Sequence, residues 1–265
     1  NDLKAKDIRV PSFDPVKVAE QTANQPVWIH FGAGNIFRGF IANLQNTLLE
    51  NDDAESGIIA AETFDFDIID KIYEPYDNLT ILVSLSADGS TKTSVVASVT
   101  EAIKADLSKD IEAARLKAIF QNPSLQMVSF TITEKGYALK NASGEVFPFV
   151  QKDFENGPES PSHAMSIVTS LLHERYHAGK TPIAVVSMDN CSHNGEKVEE
   201  AVKTIANEWL SREFVEQGFI DYLNDTEKVT FPWSMIDKIT PRPSDEVKNQ
   251  LDELLDLKSK GLISC

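Results

Sequence analysis

One stretch of the sequence decides the fold: Val27-Trp28-Ile29-His30-Phe31-Gly32-Ala33-Gly34-Asn35-Ile36-Phe37-Arg38-Gly39. It opens with a short apolar run, which is typical of a buried strand. A pair of closely spaced glycines follows, and the apolar residues after them recur at helical spacing as far as Leu48. The stretch therefore predicts a strand, a tight glycine turn and a helix.

A glycine loop between a strand and a helix can hold an anion. Gly32 permits the tight turn, and the missing side chain of Gly34 lets a phosphate approach the backbone. The start of the helix adds free N–H groups and partial positive charge. We therefore predict a dinucleotide pyrophosphate site formed by Gly32, Ala33, Gly34, Asn35, Ile36, Phe37 and Arg38.

The loop departs from the usual G-x-G-x-x-G pattern at its third glycine. Phe37 occupies that position, and the next glycine, Gly39, comes two residues later. Because the third glycine allows the helix to pack closely on the strand, we expect a looser strand–helix crossing here. A plain glycine turn that binds no ligand is the alternative interpretation.

An acidic residue after the second predicted strand bears on the choice of cofactor. The strand-like run Gly57–Ala61 is followed directly by Glu62. A carboxylate at this point binds the ribose hydroxyls and excludes a 2′-phosphate. We prefer Glu62 to Asp65 and Asp67, which also suit the first turn of a short helix, and infer NAD rather than NADP.

The rest of the chain alternates strands with helices. Strands are predicted at Thr80–Leu85, Thr93–Val99, Met127–Thr133 and Pro182–Met188, and helices at Phe66–Tyr73, Leu107–Phe120, Ser162–Ala178 and Asn194–Leu210. Ser108 is a candidate helix N-cap, and residues 140–161 are predicted to be irregular. This alternation predicts an α/β fold with a doubly wound, mostly parallel sheet and an extra β excursion.

Charge and composition restrict the partners of the chain. Its formal net charge is −16 over 265 residues. Such a surface repels nucleic acid and anionic membranes, so we expect a small-molecule ligand held by a local device. The two cysteines, Cys191 and Cys265, are predicted to be reduced thiols. We find no membrane span or signal peptide and expect a cytoplasmic protein. The sequence does not indicate an oligomeric state.

Three further segments give the sequence a specific resemblance. They are Thr131-Ile132-Thr133-Glu134-Lys135-Gly136-Tyr137, then Ser187-Met188-Asp189-Asn190 with Asn194-Gly195, then Phe231-Pro232-Trp233-Ser234-Met235-Ile236-Asp237-Lys238-Ile239-Thr240-Pro241. With the glycine loop, their order and spacing resemble the polyol-specific long-chain dehydrogenases and reductases. That family includes mannitol dehydrogenases, fructuronate reductase and tagaturonate reductase. The resemblance runs from about residue 27 to about residue 243.

The resemblance implies roles for residues near the strand ends. Asn190 would direct its amide at the substrate carbonyl, where hydride addition builds negative charge on oxygen. Glu134 would lie beside the proton path to a catalytic lysine, and Thr133 would contact the cofactor. Asp237 and Lys238 would lie at the substrate cleft. The simpler interpretations are a turn at Asn190 and, for Glu134, a surface carboxylate paired with the neighbouring lysine.

The sequence departs from the family pattern near the expected cleft. Lys238 stands where arginine is common, which keeps the charge but loses the planar grip on carboxylate or phosphate. Trp233 stands where a small polar residue, often asparagine, is usual. Substrate identity is the property that these two departures affect.

The proton donor of the family has no match in this chain. It is a lysine in a Lys-x-x-x-x-Asn-x-x-His motif on a mostly helical second domain, and reduction of a ketone needs it. We therefore expect part of a longer protein, which alone should catalyse poorly or not at all. Residues 1–26 would be a leader, 27–243 the dinucleotide-binding domain and 244–265 the start of a linker or second domain.

The sequence thus predicts an NAD-dependent oxidoreductase that interconverts a sugar acid or polyol with its keto form. Likeness around Glu62-Thr63-Phe64-Asp65 favours fructuronate and mannonate, with mannitol 2-dehydrogenase or a related hexitol or tagaturonate enzyme as the alternative. A non-catalytic dinucleotide-binding module is the alternative of another class. No metal is expected, since His173 and His177, four residues apart, are interpreted as helix-surface residues.

Overall fold

The computed structural model describes residues 7–85, 88, 90–237, 240, 245 and 249. Within them the strands are β1 (Trp28–Phe31), β2 (Ile58–Glu62), β3 (Thr80–Leu85), β4 (Thr91–Val96), β5 (Val99–Lys104), β6 (Met127–Phe130), β7 (Ile183–Ser187) and β8 (Val229–Thr230). Six of these form one sheet in the order β5-β2-β1-β6-β7-β8, and every pairing in it is parallel. Strands β3 and β4 form a separate antiparallel hairpin.

Helices connect the parallel strands. The α-helices are α1 (Pro15–Asn24), α2 (Ala42–Glu50), α3 (Asp110–Gln121), α4 (Thr133–Tyr137), α5 (Pro148–Asn156), α6 (Ala164–His177), α7 (Asn194–Ser211) and α8 (Gln217–Asn224). Two wider π-helical turns occur at Phe37–Ile41, leading into α2, and at Ile69–Tyr73. Because β2 lies on one side of β1 and β6 on the other, the sheet is doubly wound, as predicted.

Both faces of the sheet are buried. Along β2, Ile59 and Ala61 belong to one hydrophobic cluster, whereas Ile58 and Ala60 belong to another. Successive side chains of a strand point to opposite faces, so the two clusters are the two sides of the sheet. The larger cluster includes residues of α3, α5, α6, α7 and α8, and the smaller one includes the glycine-loop helix and the turn at Ile69–Tyr73.

Strand β5 was not predicted from the sequence. The predicted strand Thr93–Val99 is instead the end of β4 followed by the start of β5. The Glu101 side chain of β5 accepts hydrogen bonds from Arg115 of α3 at 2.9 and 2.7 Å. This ion pair places a charged residue within the strand, so the strand lacks the apolar run that marks the other parallel strands.

Helices occur in two segments where none was predicted. Helix α1 lies in the expected leader and begins after Asp14, whose carboxylate accepts the N–H of Val16 at 3.0 Å. Helix α5 lies within residues 140–161. Helices α8 and strand β8, near the end of the described residues, were also not assigned from the sequence.

The predicted N-cap of α3 is wrong. Ser108 donates both its N–H and its hydroxyl to the Asp106 carboxylate, at 3.0 and 2.6 Å, and the helix begins at Asp110 with Lys109 before it. Residues 244–265 lie outside the described residues, apart from Asp245 and Asn249. Among the described residues, no helix has the length and apolar character that crossing a membrane demands.

Candidate active site

The predicted site residues follow strands whose carboxyl ends meet at one edge of the sheet. The glycine loop follows β1, Glu62 ends β2, Thr133 comes shortly after β6, and Asn190 comes shortly after β7. Strand order reverses between β1 and β6, which are neighbours. In open α/β sheets a ligand binds beyond the carboxyl ends of the strands at such a switch point.

Gly32 is required by the fold itself. Its φ is +102°, and a Cβ built there would lie 2.2 Å from the carbonyl oxygen of Thr131. Its N–H donates to the carbonyl of Ala61 at 2.9 Å. The first glycine of the loop therefore allows the chain to turn sharply against the end of β6.

Gly34 has a different environment. A Cβ built there would meet no heavy atom within 4 Å, and its φ is not in the left-handed region. The first bond of the following helix runs from the Arg38 N–H to the Gly34 carbonyl at 3.1 Å, so earlier N–H groups point out of the helix N-terminus. The open space lies where a pyrophosphate would approach the loop.

Phe37, at the position of the missing third glycine, is fully buried. Its ring stacks on His30 of β1, with centroids 4.3 Å apart and planes 6° apart. His30 also contacts the Ser129 hydroxyl at 2.6 Å and the Thr131 hydroxyl at 2.8 Å. Burial lowers the pKa of His30 to about 3, so the imidazole is neutral. Phe37 is also the first residue of the π-helical turn that leads into α2.

Arg38 supplies a cation beside the loop. One guanidinium nitrogen, Nη2, donates to the Asn35 side-chain oxygen at 2.6 Å. Its Nε is buried and has no hydrogen-bond partner among the residues that the structure describes. Since buried donors are nearly always satisfied, this group fits an anionic ligand.

Glu62 is buried and holds the loop. One carboxylate oxygen accepts the N–H of Ala33 at 3.0 Å, and the other accepts the N–H groups of Thr63 and Phe64 at 2.9 and 3.0 Å. Tyr73, which the sequence did not single out, donates its hydroxyl to the Ala33 carbonyl at 2.8 Å. Both polar groups of Ala33 are therefore fixed by side chains from the next strand and turn.

The two competitors of Glu62 are both exposed. Asp67 forms an ion pair with Lys71 at 2.5 Å, four residues along the same turn. Asp65 lies three residues beyond Glu62 in the connection to that turn. Phe64, which lies between Glu62 and Asp65 in the sequence, is 93% exposed, so its apolar ring faces solvent.

Asp189 joins the ends of β6 and β7, a role that was not predicted from the sequence. Its carboxylate accepts the N–H groups of Ile132 and Thr133, both at 3.0 Å, and the hydroxyl of Tyr137 at 2.5 Å. The Tyr137 hydroxyl also contacts Ser187 at 2.8 Å. Burial, reinforced by the Asp189 charge, raises the pKa of Tyr137, so this hydroxyl stays protonated.

Thr133 has strained backbone geometry. Its φ is +65°, which a β-branched residue rarely adopts. The two N–H bonds to Asp189 hold it there. Strain of this kind costs about 1–3 kcal/mol and persists where the surroundings fix it, most often at functional sites.

Asn190 and Glu134 are both exposed at this edge. Glu134 forms an ion pair at 2.5 Å with Lys197 of α7, not with Lys135, the partner in the simpler interpretation. For Asn190, the described part of the chain offers its side-chain amide no hydrogen-bond partner. The amide can therefore be donated to a ligand.

Asn194 anchors the segment formed by residues 231–237. Its amide donates to the Ser234 carbonyl at 2.9 Å, and the Ser234 N–H donates back to its side-chain oxygen at 3.1 Å. A Cβ at Gly195 would lie 2.6 Å from both the Phe231 carbonyl oxygen and the Trp233 ring, so the crossing needs glycine there. Asn194 and Gly195 thus serve packing.

The predicted cleft residues lie on this anchored segment. Asp237 is exposed, and Lys238 lies outside the described residues. Trp233 is 58% exposed and stacks on His193 with centroids 4.6 Å apart. The segment therefore presents polar and aromatic groups to solvent just beyond β7.

A doubly wound parallel sheet with a glycine loop at its switch point defines a Rossmann-type domain. The chain matches the family model of the mannitol dehydrogenase Rossmann domain over residues 27–255, and it belongs to the mannitol dehydrogenase family. The resemblance seen in the sequence motifs is thereby confirmed.

This chain matches only part of the length of each relative. The D-mannonate oxidoreductase of Thermotoga maritima is 50% identical over 93% of this chain and 45% of that protein. A D-sorbitol dehydrogenase crystal structure is 25% identical, with a TM-score of 0.77 over 96% of this chain and 50% of that one. Pseudomonas fluorescens mannitol 2-dehydrogenase, solved with NAD and D-mannitol, is 24% identical, with a TM-score of 0.76 over 93% and 47%. The chain spans about half the length of these relatives.

Proposed function

We propose that this chain is the NAD-binding part of an oxidoreductase that acts on CH–OH groups and interconverts a sugar acid or polyol with its keto form. One observation carries the cofactor assignment: the loop leaves open space at Gly34, and four residues later the buried Nε of Arg38 has no hydrogen-bond partner among the described residues. Both are features that a pyrophosphate would satisfy. The residues present therefore fit a dinucleotide.

Residues Gly32–Arg38 would hold the pyrophosphate, and Thr133 would contact the cofactor farther along the edge. Glu62 would favour NAD over NADP, because its charge repels a 2′-phosphate even while its oxygens bind the loop. When bound, the nicotinamide supplies or accepts the hydride of the reaction. The exposed Phe64 ring lies next to Glu62, where it would present an apolar face to the adenosine end.

The substrate side of the proposal rests on Asn190. Its exposed amide would donate to the carbonyl oxygen of the keto form, which becomes negative as hydride arrives. Glu134 would lie on the path of the proton, and its ion pair with Lys197 fixes the carboxylate at this edge. Asp237 and Lys238 would complete the cleft. The lysine that delivers the proton belongs, in this family, to a second domain.

We favour D-mannonate and D-fructuronate as the substrate pair. The support is the 50% identity to a protein named D-mannonate oxidoreductase, which this chain covers for 45% of its length. Mannitol 2-dehydrogenase or a related hexitol or tagaturonate enzyme is the second candidate. We place the dinucleotide-binding domain at residues 27–243, with residues 244–265 beginning a linker or second domain, and the protein in the cytoplasm.

The test measures NADH oxidation by the complete gene product with fructuronate, tagaturonate and fructose. We expect kcat/KM to be highest for fructuronate, and Asn190→Ala to lower kcat by about a hundredfold to a thousandfold while NADH binding is retained. Asn207→Ala, at an exposed asparagine of α7, is the control and should leave kcat unchanged. Full activity in Asn190→Ala would refute the proposed role of Asn190. If the protein oxidised NADH with none of the three ketones, the proposed function would be refuted.

A further inference from the structure

Two histidines and a glutamate meet far from the candidate active site. His173 and His177 end α6, and Glu216 directly precedes α8. Since α6 leads into the parallel strand β7, its last turn lies at the amino edge of the sheet, opposite the glycine loop. The His173 Nε2 is 3.0 Å from the His177 Nε2 and 3.1 Å from a Glu216 oxygen, and the His177 Nε2 is 3.7 Å from the other oxygen.

We propose that His173, His177 and Glu216 bind a divalent transition-metal ion of the zinc type. Histidines four apart on a helix lie on one face, so both rings reach one point. With zinc–ligand distances of about 2.0–2.1 Å in a tetrahedron, neighbouring ligand atoms lie about 3.3 Å apart. The His173 Nε2 lies 3.0 Å from the His177 Nε2 and 3.1 Å from one Glu216 oxygen, both near that value, and the His177 Nε2 lies 3.7 Å from the other oxygen. One ligand atom from each of the three residues lies within 4.8 Å of the other two. Two nitrogens and one carboxylate oxygen suit zinc rather than magnesium or calcium.

From the sequence we expected no metal and interpreted His173 and His177 as helix-surface residues, an expectation from which this proposal departs. His173-Glu174-Arg175-Tyr176-His177 matches the pattern H-E-x-x-H, in which the histidines bind zinc and the glutamate is the general base of a protease. Here Glu174 pairs with Lys117 at 2.9 Å and accepts from Gln121 at 2.9 Å. Its carboxylate is therefore engaged elsewhere, and we assign metal binding without hydrolysis.

The surroundings hold the ligand atoms in place. His173 packs edge-on against Phe219 of α8, with centroids 4.9 Å apart, and its side chain is 14% exposed. Arg175, on the other face of α6, is fully buried and donates to the carbonyls of Phe120 and Leu125 at 2.8 and 2.7 Å. The helix end is thus fixed before a metal arrives, and the ion would join α6 to α8. The fourth position faces solvent through the half-exposed His177 and Glu216.

The test is calorimetric titration of this chain with zinc chloride, with the visible absorption of a cobalt(II) complex as a second readout. We expect one saturable zinc site, no binding of magnesium, and a higher thermal midpoint with zinc. His177→Gln and Glu216→Gln each alter an exposed side chain, so folding is retained. Loss of a residue that only supports a metal ligand typically weakens metal binding by about 10- to 100-fold. Each of these variants loses a ligand itself and should weaken zinc binding by more than that.

His193→Gln is the matched control, because His193 is an exposed histidine with its own glutamate, Glu196, at 2.9 Å. It should bind zinc as tightly as the unaltered chain. The proposal would be overturned if the unaltered chain showed no saturable zinc binding, or if His177→Gln and Glu216→Gln bound zinc as tightly as the unaltered chain. The two histidines would then be joined only by their hydrogen bond. NADH binding should be the same in all variants, so the result is independent of the proposed function.

Discussion

At the scale of single residues, the two glycines of the loop serve different purposes. Gly32→Ala should destabilise the domain by more than about 2 kcal/mol, because its Cβ would meet the Thr131 backbone and φ is +102°. Gly34→Asp should leave the free energy of unfolding within about 1 kcal/mol, since nothing lies within 4 Å, but should abolish NADH binding by placing a carboxylate against the pyrophosphate. Urea unfolding and calorimetry measure the two effects. Normal NADH affinity in a folded Gly34→Asp variant would remove the loop from the binding site.

Glu62 has two effects, one of charge and one of hydrogen bonding. Glu62→Ala removes both, and we expect it to narrow the preference for NADH over NADPH. It also leaves the N–H groups of Ala33, Thr63 and Phe64 without their acceptor, which costs about 1–3 kcal/mol for each group that stays buried. Dissociation constants for both cofactors give the preference. Asp65→Asn is the control. If the preference for NADH over NADPH narrowed in that variant alone, Asp65 would be the residue that discriminates between the cofactors.

At the scale of elements, local pattern was enough where one strand, one turn and one helix follow in sequence. The β1, glycine loop and helix unit, and the strands β2, β6 and β7, were predicted because their apolar runs are continuous. Strand β5 was missed because Glu101 is held by Arg115 of another element, which no pattern within the strand shows. The role of Asp189 was missed for a similar reason, since its Thr133 partner is 56 residues away.

Asp189 should support the strained turn after β6. Asp189→Asn replaces one acceptor oxygen by an NH₂ group, which cannot accept from Ile132, Thr133 or Tyr137. We expect a loss of about 1–3 kcal/mol in the free energy of unfolding, together with weaker NADH binding. Glu134→Gln breaks an exposed ion pair at the same edge and should change stability by no more than about 0.5 kcal/mol. Equal stability of the two variants in urea would show that Asp189 does not hold the turn.

At the scale of the whole molecule, two buried histidines make stability depend on pH. Burial lowers the pKa of His30 to about 3 and that of His163 to about 4, whereas both are near 6.5 in the unfolded chain. The unfolded state therefore binds more protons below pH 6.5, and stability falls as the pH is lowered toward 4. Each histidine contributes about 1.4 kcal/mol per pH unit in that window.

Denaturant unfolding between pH 7 and pH 4 measures this dependence. His163→Gln should reduce the slope, whereas His193→Gln, at an exposed position, should not. An unchanged slope in His163→Gln would mean that its imidazole is not held neutral by the fold.

The sheet brings residues from four separate segments to one edge, and the central claim is that this edge binds NAD. Calorimetric titration of this chain with NADH, and separately with NADPH, tests that claim most directly. The account predicts saturable binding of NADH in the micromolar range and weaker binding of NADPH, with both lost in Gly34→Asp. Absence of NADH binding to the folded chain, or unchanged binding in Gly34→Asp, would contradict it.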